Sequence, residues 1–365
     1  MDVFDLRSRL VQDYARYTRS FIKISDPRIR EQVDNALDNG VLWPEPLLQL
    51  NPTFQFGGTI KDLIAAGLLH PDCEKIFRID KSDQDPIGKE LLLHKHQSEA
   101  IRLAKEKNQS YVLTSGTGSG KSFTYIIPIV DHIIKNGSAK GIQAIIVYPM
   151  NALANSQNEE LEKFLVKGFA QGKSPVRFAR YTGQEKGPER EAIRDNPPDI
   201  ILTNYVMLEL LLTRHEDQKL VKAAQGLKFL VLDELHTYRG RQGADVALLM
   251  RRCRYAFNAH DVIFIGTSAT MTSGGSVLEQ KQEVAKVAQT LFGIPMTADQ
   301  VIGEYLERST PEIDATQPAV IASLKQAIQS HTTLAQDYES FRQLSLASWI
   351  ESYFGVKKES AESNF

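Results

Sequence analysis

The chain has 365 residues, 42% apolar and 24% charged, with a net charge of −2 and two isolated cysteines. That length and composition exclude a disordered, collagen-like or disulfide-rich chain and leave a globular protein of one large or two ordinary domains. The charge exerts no global pull on nucleic acid, so any such binding needs a local groove, and no apolar run is long enough to span a bilayer.

Residues 1–90 read as a helical N-terminal region. Leu6, Leu10, Tyr14, Tyr17 and Phe21 recur at helical spacing and predict one apolar, core-facing stripe. Asp26-Pro27 reads as an N-cap followed by proline at the first helical position. Ile29, Val33 and Leu37 give that helix an apolar face, and Gly40 stops it. Trp43-Pro44-Glu45-Pro46 breaks the pattern, and Gly57-Gly58-Thr59 opens a short helix that ends at Gly67.

From 91 to 272 strands and helices alternate. Tyr111–Thr114, Ala144–Tyr148, Val176–Arg180, Ile200–Thr203, Phe229–Leu232 and Val262–Gly266 are the strand candidates. This alternation predicts an α/β domain with a mainly parallel sheet. Beyond 272 the pattern is helical again: Gly274-Gly275 is a break, and Val277 to Phe292 is a helix stopped by Gly293 and Pro295. Helices over 318–330 and 338–354 follow, then a polar tail from Lys357. The domain expectation is thus 1–90, 91–272 and 273–365.

Two boxes carry chemistry. Ser115-Gly116-Thr117-Gly118-Ser119-Gly120-Lys121-Ser122 lies between a buried strand and an apolar helix. Glycines let successive N–H groups face the same phosphates, Lys121 adds a point charge, and the Ser122 hydroxyl suits Mg²⁺. Ser115 stands where the P-loop pattern has glycine. A bare Gly/Ser turn has no need of Lys-Ser on a following helix. Asp233-Glu234-Leu235-His236 closes the apolar run Phe229–Leu232. Acids at a strand's carboxyl end are placed for a metal, held by Asp233 with Ser122, and for an attacking water, oriented by Glu234. Alone, the pair could be a solvated turn. The cysteines, Cys73 and Cys253, fit a reducing cytoplasm.

The ordered boxes resemble the first RecA-like motor domain of superfamily 2 DExH-type helicases. His96-Gln97 resembles the motif that reads adenine, and Gln97's amide can both donate and accept. His94 and His96 could line that pocket or simply pack. Tyr148-Pro149-Met150-Asn151-Ala152-Leu153-Ala154, Tyr181-Thr182-Gly183 and Leu202-Thr203-Asn204 resemble backbone-contacting boxes. The resemblance implies nucleic acid at Asn151, Thr182, Gly183, Thr203, Asn204 and Arg239. Arg239 and Arg241 add positive charge just beyond the acidic box or pair with nearby acids such as Asp245, while Arg177, Arg180 and Arg190 read as solvated surface. It also implies catalytic roles for Lys121, Asp233, Glu234 and His236, and coupling through Ser268-Ala269-Thr270. Tyr238-Arg239-Gly240 and the YPMNALA box narrow the likeness to bacterial YprA/MrfA-type DNA helicases and their phage-defence relatives.

The resemblance implies ATP and Mg²⁺ as cofactors and single-stranded or duplex DNA as partner, with RNA as an alternative. It implies a cytoplasmic ATP hydrolase of helicase type. Motifs IV to VI, their arginine and the four-cysteine zinc site do not appear in these residues. The expectation is therefore a first motor domain with little activity alone, completed by a second RecA-like domain in cis or in trans. An ATP-gated binding subunit of a defence assembly is the non-enzyme reading.

Overall fold

The computed structural model describes residues 3–21, 23–39, 53–82, 84–116, 118–169, 173–269, 276–329 and 337–354. They fall into two compact units: residues 52–312 form one, and residues 1–51 with 313–355 form the other.

The larger unit is built on a seven-stranded, wholly parallel sheet. Its strands in chain order are β1 Tyr111–Thr114, β2 Ala144–Tyr148, β3 Phe178–Arg180, β4 Ile200–Asn204, β5 Phe229–Leu232, β6 Ile263–Ser268 and β7 Val301–Ile302. The spatial order is β7-β1-β6-β5-β2-β4-β3. Every residue of β1, β2, β5 and β6 is buried, which is why these strands read as continuous apolar runs. Alternate residues serve opposite cores. Tyr111, Leu113, Ile146, Val231 and Ile265 enter one, while Val112, Val147, Leu230, Leu232 and Phe264 enter the other.

Six major helices cover the sheet: α1 Lys95–Glu106, α2 Phe123–Asn136, α3 Asn151–Leu165, α4 Tyr205–Thr213, α5 Gly240–Ala256 and α6 Val277–Phe292. Residues of α1 and α2 share the first core, and those of α4, α5 and α6 the second.

The helical reading of 53–90 is corrected. Among the described residues there, only Ile60–Ala65 and Cys73–Ile76 are α-helical. Phe56–Thr59 pairs with Leu92–His94, Arg78–Ile79 with Lys89–Glu90, and Thr53–Phe54 with Leu306–Glu307, all antiparallel. Thr59 and Asp62 do form the capping box that starts the short helix. Ile60, Leu63, Leu69, Cys73, Ile76 and Phe77 join the first core, so this segment packs within the larger unit. Past 272 the purely helical reading misses β7, whose two residues pair with Val112 and Leu113. Strand β6 also runs on to Ser268, beyond the expected Gly266.

In the smaller unit, Val3–Ser20 and Pro27–Asp38 are helical, and Asp26 caps the second by accepting the Arg28 and Ile29 N–H groups. Arg19 joins the two helices through Asp34 at 3.0 Å and Asp38 at 2.6 Å. The core-facing expectation for the first helix fails: Leu6, Leu10, Tyr14, Tyr17 and Phe21 are 36% to 69% exposed. Among the described residues of this unit only Ala347 and Ser348 are buried, so those residues form no core to receive the stripe. The helix expected over 338–354 is two, Tyr338–Arg342 and Ser345–Phe354. Gly40, the Trp43 to Pro46 stretch, Gly274-Gly275 and the tail from Lys357 lie outside the described residues.

Candidate functional site

The glycine-rich loop joins β1 to α2, so its turn faces the positive end of a 14-residue helix. Gly118 and Gly120 take φ values of 81° and 70°, a region that side chains with a Cβ disfavour. The departure at Ser115 has a structural use: its hydroxyl meets the Ser119 hydroxyl at 2.7 Å across the loop. The Ser115 N–H donates to the Ser268 carbonyl at 3.1 Å, which ties the loop to the end of β6.

Gln97 is buried against this loop. Its Nε2 donates to the Gly120 carbonyl at 2.9 Å and the Ser119 carbonyl at 3.3 Å, while its Oε1 accepts the His94 N–H at 2.8 Å. The amide expected to read adenine thus bonds the loop backbone. His96 does the same, with Nε2 3.0 Å from the Ser119 carbonyl oxygen. Burial pushes its pKa down to about 4. Phe54, His94 and His96 form one aromatic cluster, with ring centroids 5.0 to 5.5 Å apart.

The loop and the acidic box meet. Lys121 Nζ lies 3.3 Å from the Ser115 carbonyl oxygen and 3.4 Å from Glu234 Oε1. Asp233 directly follows β5, and its N–H donates to the Val147 carbonyl of β2. Thr267 holds both acids: its hydroxyl donates to Asp233 Oδ1 at 2.5 Å and accepts the Glu234 N–H at 3.1 Å. Burial raises Asp233 to about pH 6, against the opposing pull of the Thr267 hydrogen bond and Lys121. Glu234 adopts a left-handed conformation, φ 54° and ψ 59°. That backbone strain is characteristic of functional turns in non-glycine residues. His236 Nδ1 sits 3.2 Å from Ser268 Oγ and 3.3 Å from Glu234 Oε2, so the acidic box and the end of β6 are in contact. Thr117 and Thr270 lie outside the described residues; Ala269 is half-buried.

Of the residues expected to face nucleic acid, Asn151, Thr182 and Asn204 are hydrogen-bonded together, and the polar groups of the set are largely spent within the protein. Asn204 Nδ2 donates to Asn151 Oδ1 at 2.6 Å and the Thr182 carbonyl at 3.1 Å, while its Oδ1 caps α4 at the Met207 N–H. Thr203 is fully buried and donates to the Tyr181 carbonyl at 2.6 Å. The Thr182 and Gly183 N–H groups, expected to meet phosphates, both donate to Glu185 Oε2 at 2.9 Å. Arg180 bonds Glu185 and Asn155, Arg190 bonds the Glu185 and Gly183 carbonyls, and Arg177 bonds Asn196 and the Pro197 carbonyl. These three arginines, read as solvated surface, are loop braces. Arg239 and Arg241 are exposed where α5 begins.

Thr267 and Glu185 were not singled out by sequence reasoning. A threonine one residue before Ser268-Ala269 was the available signal for the first. Glu185 gave none, because its role exists only in the folded turn.

A parallel sheet with a glycine-rich loop after β1 and an Asp-Glu pair after β5, the two strands that flank β6, defines a RecA-like P-loop nucleotide-binding domain. The DEAD/DEAH box helicase family model matches residues 94–308, and the chain belongs to that family. It is 33% identical over 192 residues to the uncharacterized ATP-dependent helicase YprA of Bacillus subtilis, covering 52% of this chain and 24% of YprA. It is 26% identical to Druantia protein DruE of Escherichia coli, covering 68% of this chain and 19% of DruE. With the ATP-dependent helicase HRQ1 of Saccharomyces cerevisiae it shares 31% over 185 residues, 49% of this chain and 16% of HRQ1. The chain thus spans less than a quarter of the length of these relatives. Among solved structures, DUF1998 helicase MrfA bound to DNA superposes with a TM-score of 0.53 at 22% identity, over 77% of this chain and 35% of MrfA. DEAD-box helicase Mss116 bound to single-stranded RNA superposes with a TM-score of 0.54 at 17% identity, over 78% of this chain and 56% of Mss116. These likenesses show the fold. Among the described residues no helix is long and apolar enough to cross a membrane.

Proposed function

We propose that the 365 residues act as the ATP-binding half of a DNA helicase or translocase motor. The observation that carries this reading is the approach of Lys121 Nζ to Glu234 Oε1 at 3.4 Å, which joins the phosphate loop to the acidic box. Lys121 neutralises the terminal phosphates, Glu234 orients the attacking water, and the loop N–H groups hold the phosphates in place. The donor set suits Mg²⁺: a carboxylate at Asp233 and a hydroxyl at Ser122 are hard oxygen ligands, and such sites take their remaining ligands from water and phosphate. When bound, the ion supplies charge neutralisation at the phosphoryl group. Thr267 fixes Asp233, and the His236–Ser268 contact gives a route from the acidic box to the strand end that faces the loop.

A second RecA-like domain, in cis or in trans, supplies the arginine that completes hydrolysis. Such an arginine is worth about 10³ to 10⁵ in rate in P-loop enzymes. The 365-residue chain alone is therefore expected to bind ATP and to turn it over more slowly than about 1 s⁻¹, the low end of ordinary enzyme rates. The test is ATP binding and hydrolysis by the wild type, Lys121→Ala and Glu234→Gln. Lys121→Ala should lose binding with its fold intact, and Glu234→Gln should keep ATP bound. Equal loss in both variants would remove the water-orienting role from Glu234, and fast turnover by the wild type would remove the need for a partner domain.

DNA as the track is supported by the similarity to MrfA, whose structure is bound to DNA. RNA is the alternative, and affinities for single-stranded DNA and RNA of one sequence separate the two. A place in a multi-protein defence assembly is a second reading, favoured by the DruE alignment over 68% of the chain. A cytoplasmic location fits Cys73 and Cys253, both buried free thiols.

A further inference from the structure

Glu304 follows β7, and its Oε2 accepts the Gly116 N–H at 2.9 Å. The segment that carries it is fastened on both sides. Thr114 Oγ1 donates to the Ile302 carbonyl at 3.1 Å, at the very strand that feeds the loop. Tyr305 donates its hydroxyl to Glu99 at 2.6 Å and lies under Lys95 Nζ at 4.3 Å. Leu306 and Glu307 then pair with Phe54 and Thr53. The carboxylate is thus delivered to the loop by a held strand end, and not by a loose surface side chain.

Gly116 is the second residue of the loop whose N–H groups are built to meet phosphate oxygens. A carboxylate offers that loop the same thing: an anionic oxygen at hydrogen-bond distance. We propose that Glu304 is an internal phosphate surrogate, competing with the nucleotide for the loop and so setting nucleotide affinity. The proposal rests on the reading of Ser115–Ser122 as the ATP loop. A triphosphate brings more negative charge against Glu304 than a diphosphate does. The competition therefore weighs more heavily on ATP than on ADP, and it weakens as salt screens the charges.

The test is the Kd for ATP and for ADP, at low and high salt, on the full 365-residue chain and on Glu304→Gln and Glu304→Ala. Glutamine keeps the size and an acceptor oxygen and removes only the charge, so it remains informative if the alanine variant unfolds. Glu304→Gln should bind ATP roughly three- to thirtyfold tighter than wild type, the range one charge-assisted hydrogen bond covers. The gain should be smaller for ADP and should shrink at high salt. A structural brace would give no such ordering. Wild-type binding with unchanged or weaker binding by Glu304→Gln would overturn the surrogate role. Absence of ATP binding by the wild type would instead sink the nucleotide reading on which the proposal stands.

Discussion

The residues that hold the phosphate loop are less conspicuous than those within it. Lys121, Ser122 and Asp233 were legible because each sits in a contiguous motif. Glu304 was not, since it lies 188 residues from Gly116 in the chain and only the parallel pairing of β7 with β1 brings it there. His96 is an intermediate case: its neighbour Gln97 drew attention, but its own role is set by burial. Its Nε2 donates to the Ser119 carbonyl, which fixes the tautomer, and Nδ1 has no hydrogen-bond partner among the described residues. The ordinary value of 6.5 applies in the unfolded chain, and burial holds the folded value near 4. The unfolded state therefore takes up a proton first as pH falls. The stability contribution is intact above about 6.5 and is lost progressively toward 4, amounting to about 2 kcal/mol between pH 7.5 and 5. His132, also lowered to about 4 by burial, adds a loss of the same sign. Denaturant unfolding at the two pH values should show a smaller drop for His96→Asn than for wild type. Equal drops would mean that His96 is solvated or already charged in the folded chain.

At the scale of elements, the central strands were readable and the edges were not. Strands β1, β2 and β5 are buried runs of four or five residues, and sequence placed their ends correctly. At the two edges of the sheet, β3 has three half-buried residues and β7 two buried ones, too few to leave a periodic signature. The turn after β5 depends on a neighbour that the sequence pattern leaves mute. A Cβ on Gly266 of β6 would lie 2.4 Å from Leu235 Cδ1 and 3.1 Å from Phe292 Cζ. Leu235 follows Glu234 directly, and Phe292 stacks on Phe264 at 5.2 Å, so neither side chain has free space to yield. Gly266→Ala should destabilise the chain by about 1–3 kcal/mol, the usual cost of overpacking a close contact. Because Leu235 must move, the variant should also weaken ATP hydrolysis more than ATP binding. A denaturation midpoint equal to that of wild type would show that Leu235 repacks at no cost.

For the whole molecule, the decisive question is where the nucleotide-binding unit begins. The motifs suggest residue 91, since nothing before it resembles a strand–helix repeat. Packing places the start near residue 52, because Ile60, Leu63, Leu69, Cys73, Ile76 and Phe77 share a core with Tyr111, Ile126 and Ile129. The same segment serves a buried charge. Asp131 of α2 is fully buried, paired with Lys105 and with Lys135 at 3.1 Å, and it accepts the His70 N–H at 2.6 Å. Removing residues 52–90 would strip six buried side chains, each worth about 1.5–3 kcal/mol, from a domain whose total stability is of order 5–15 kcal/mol. It would also leave Asp131 without one of its donors. The smaller unit has only Ala347 and Ser348 buried among its described residues. A fragment of residues 52–312 should therefore unfold cooperatively near the melting temperature of the full chain and bind ATP within about threefold of its affinity. A fragment of residues 91–312 should melt far lower or fail to fold. Comparable melting of the two fragments would mean that residues 52–90 decorate the motor domain and do not complete its core.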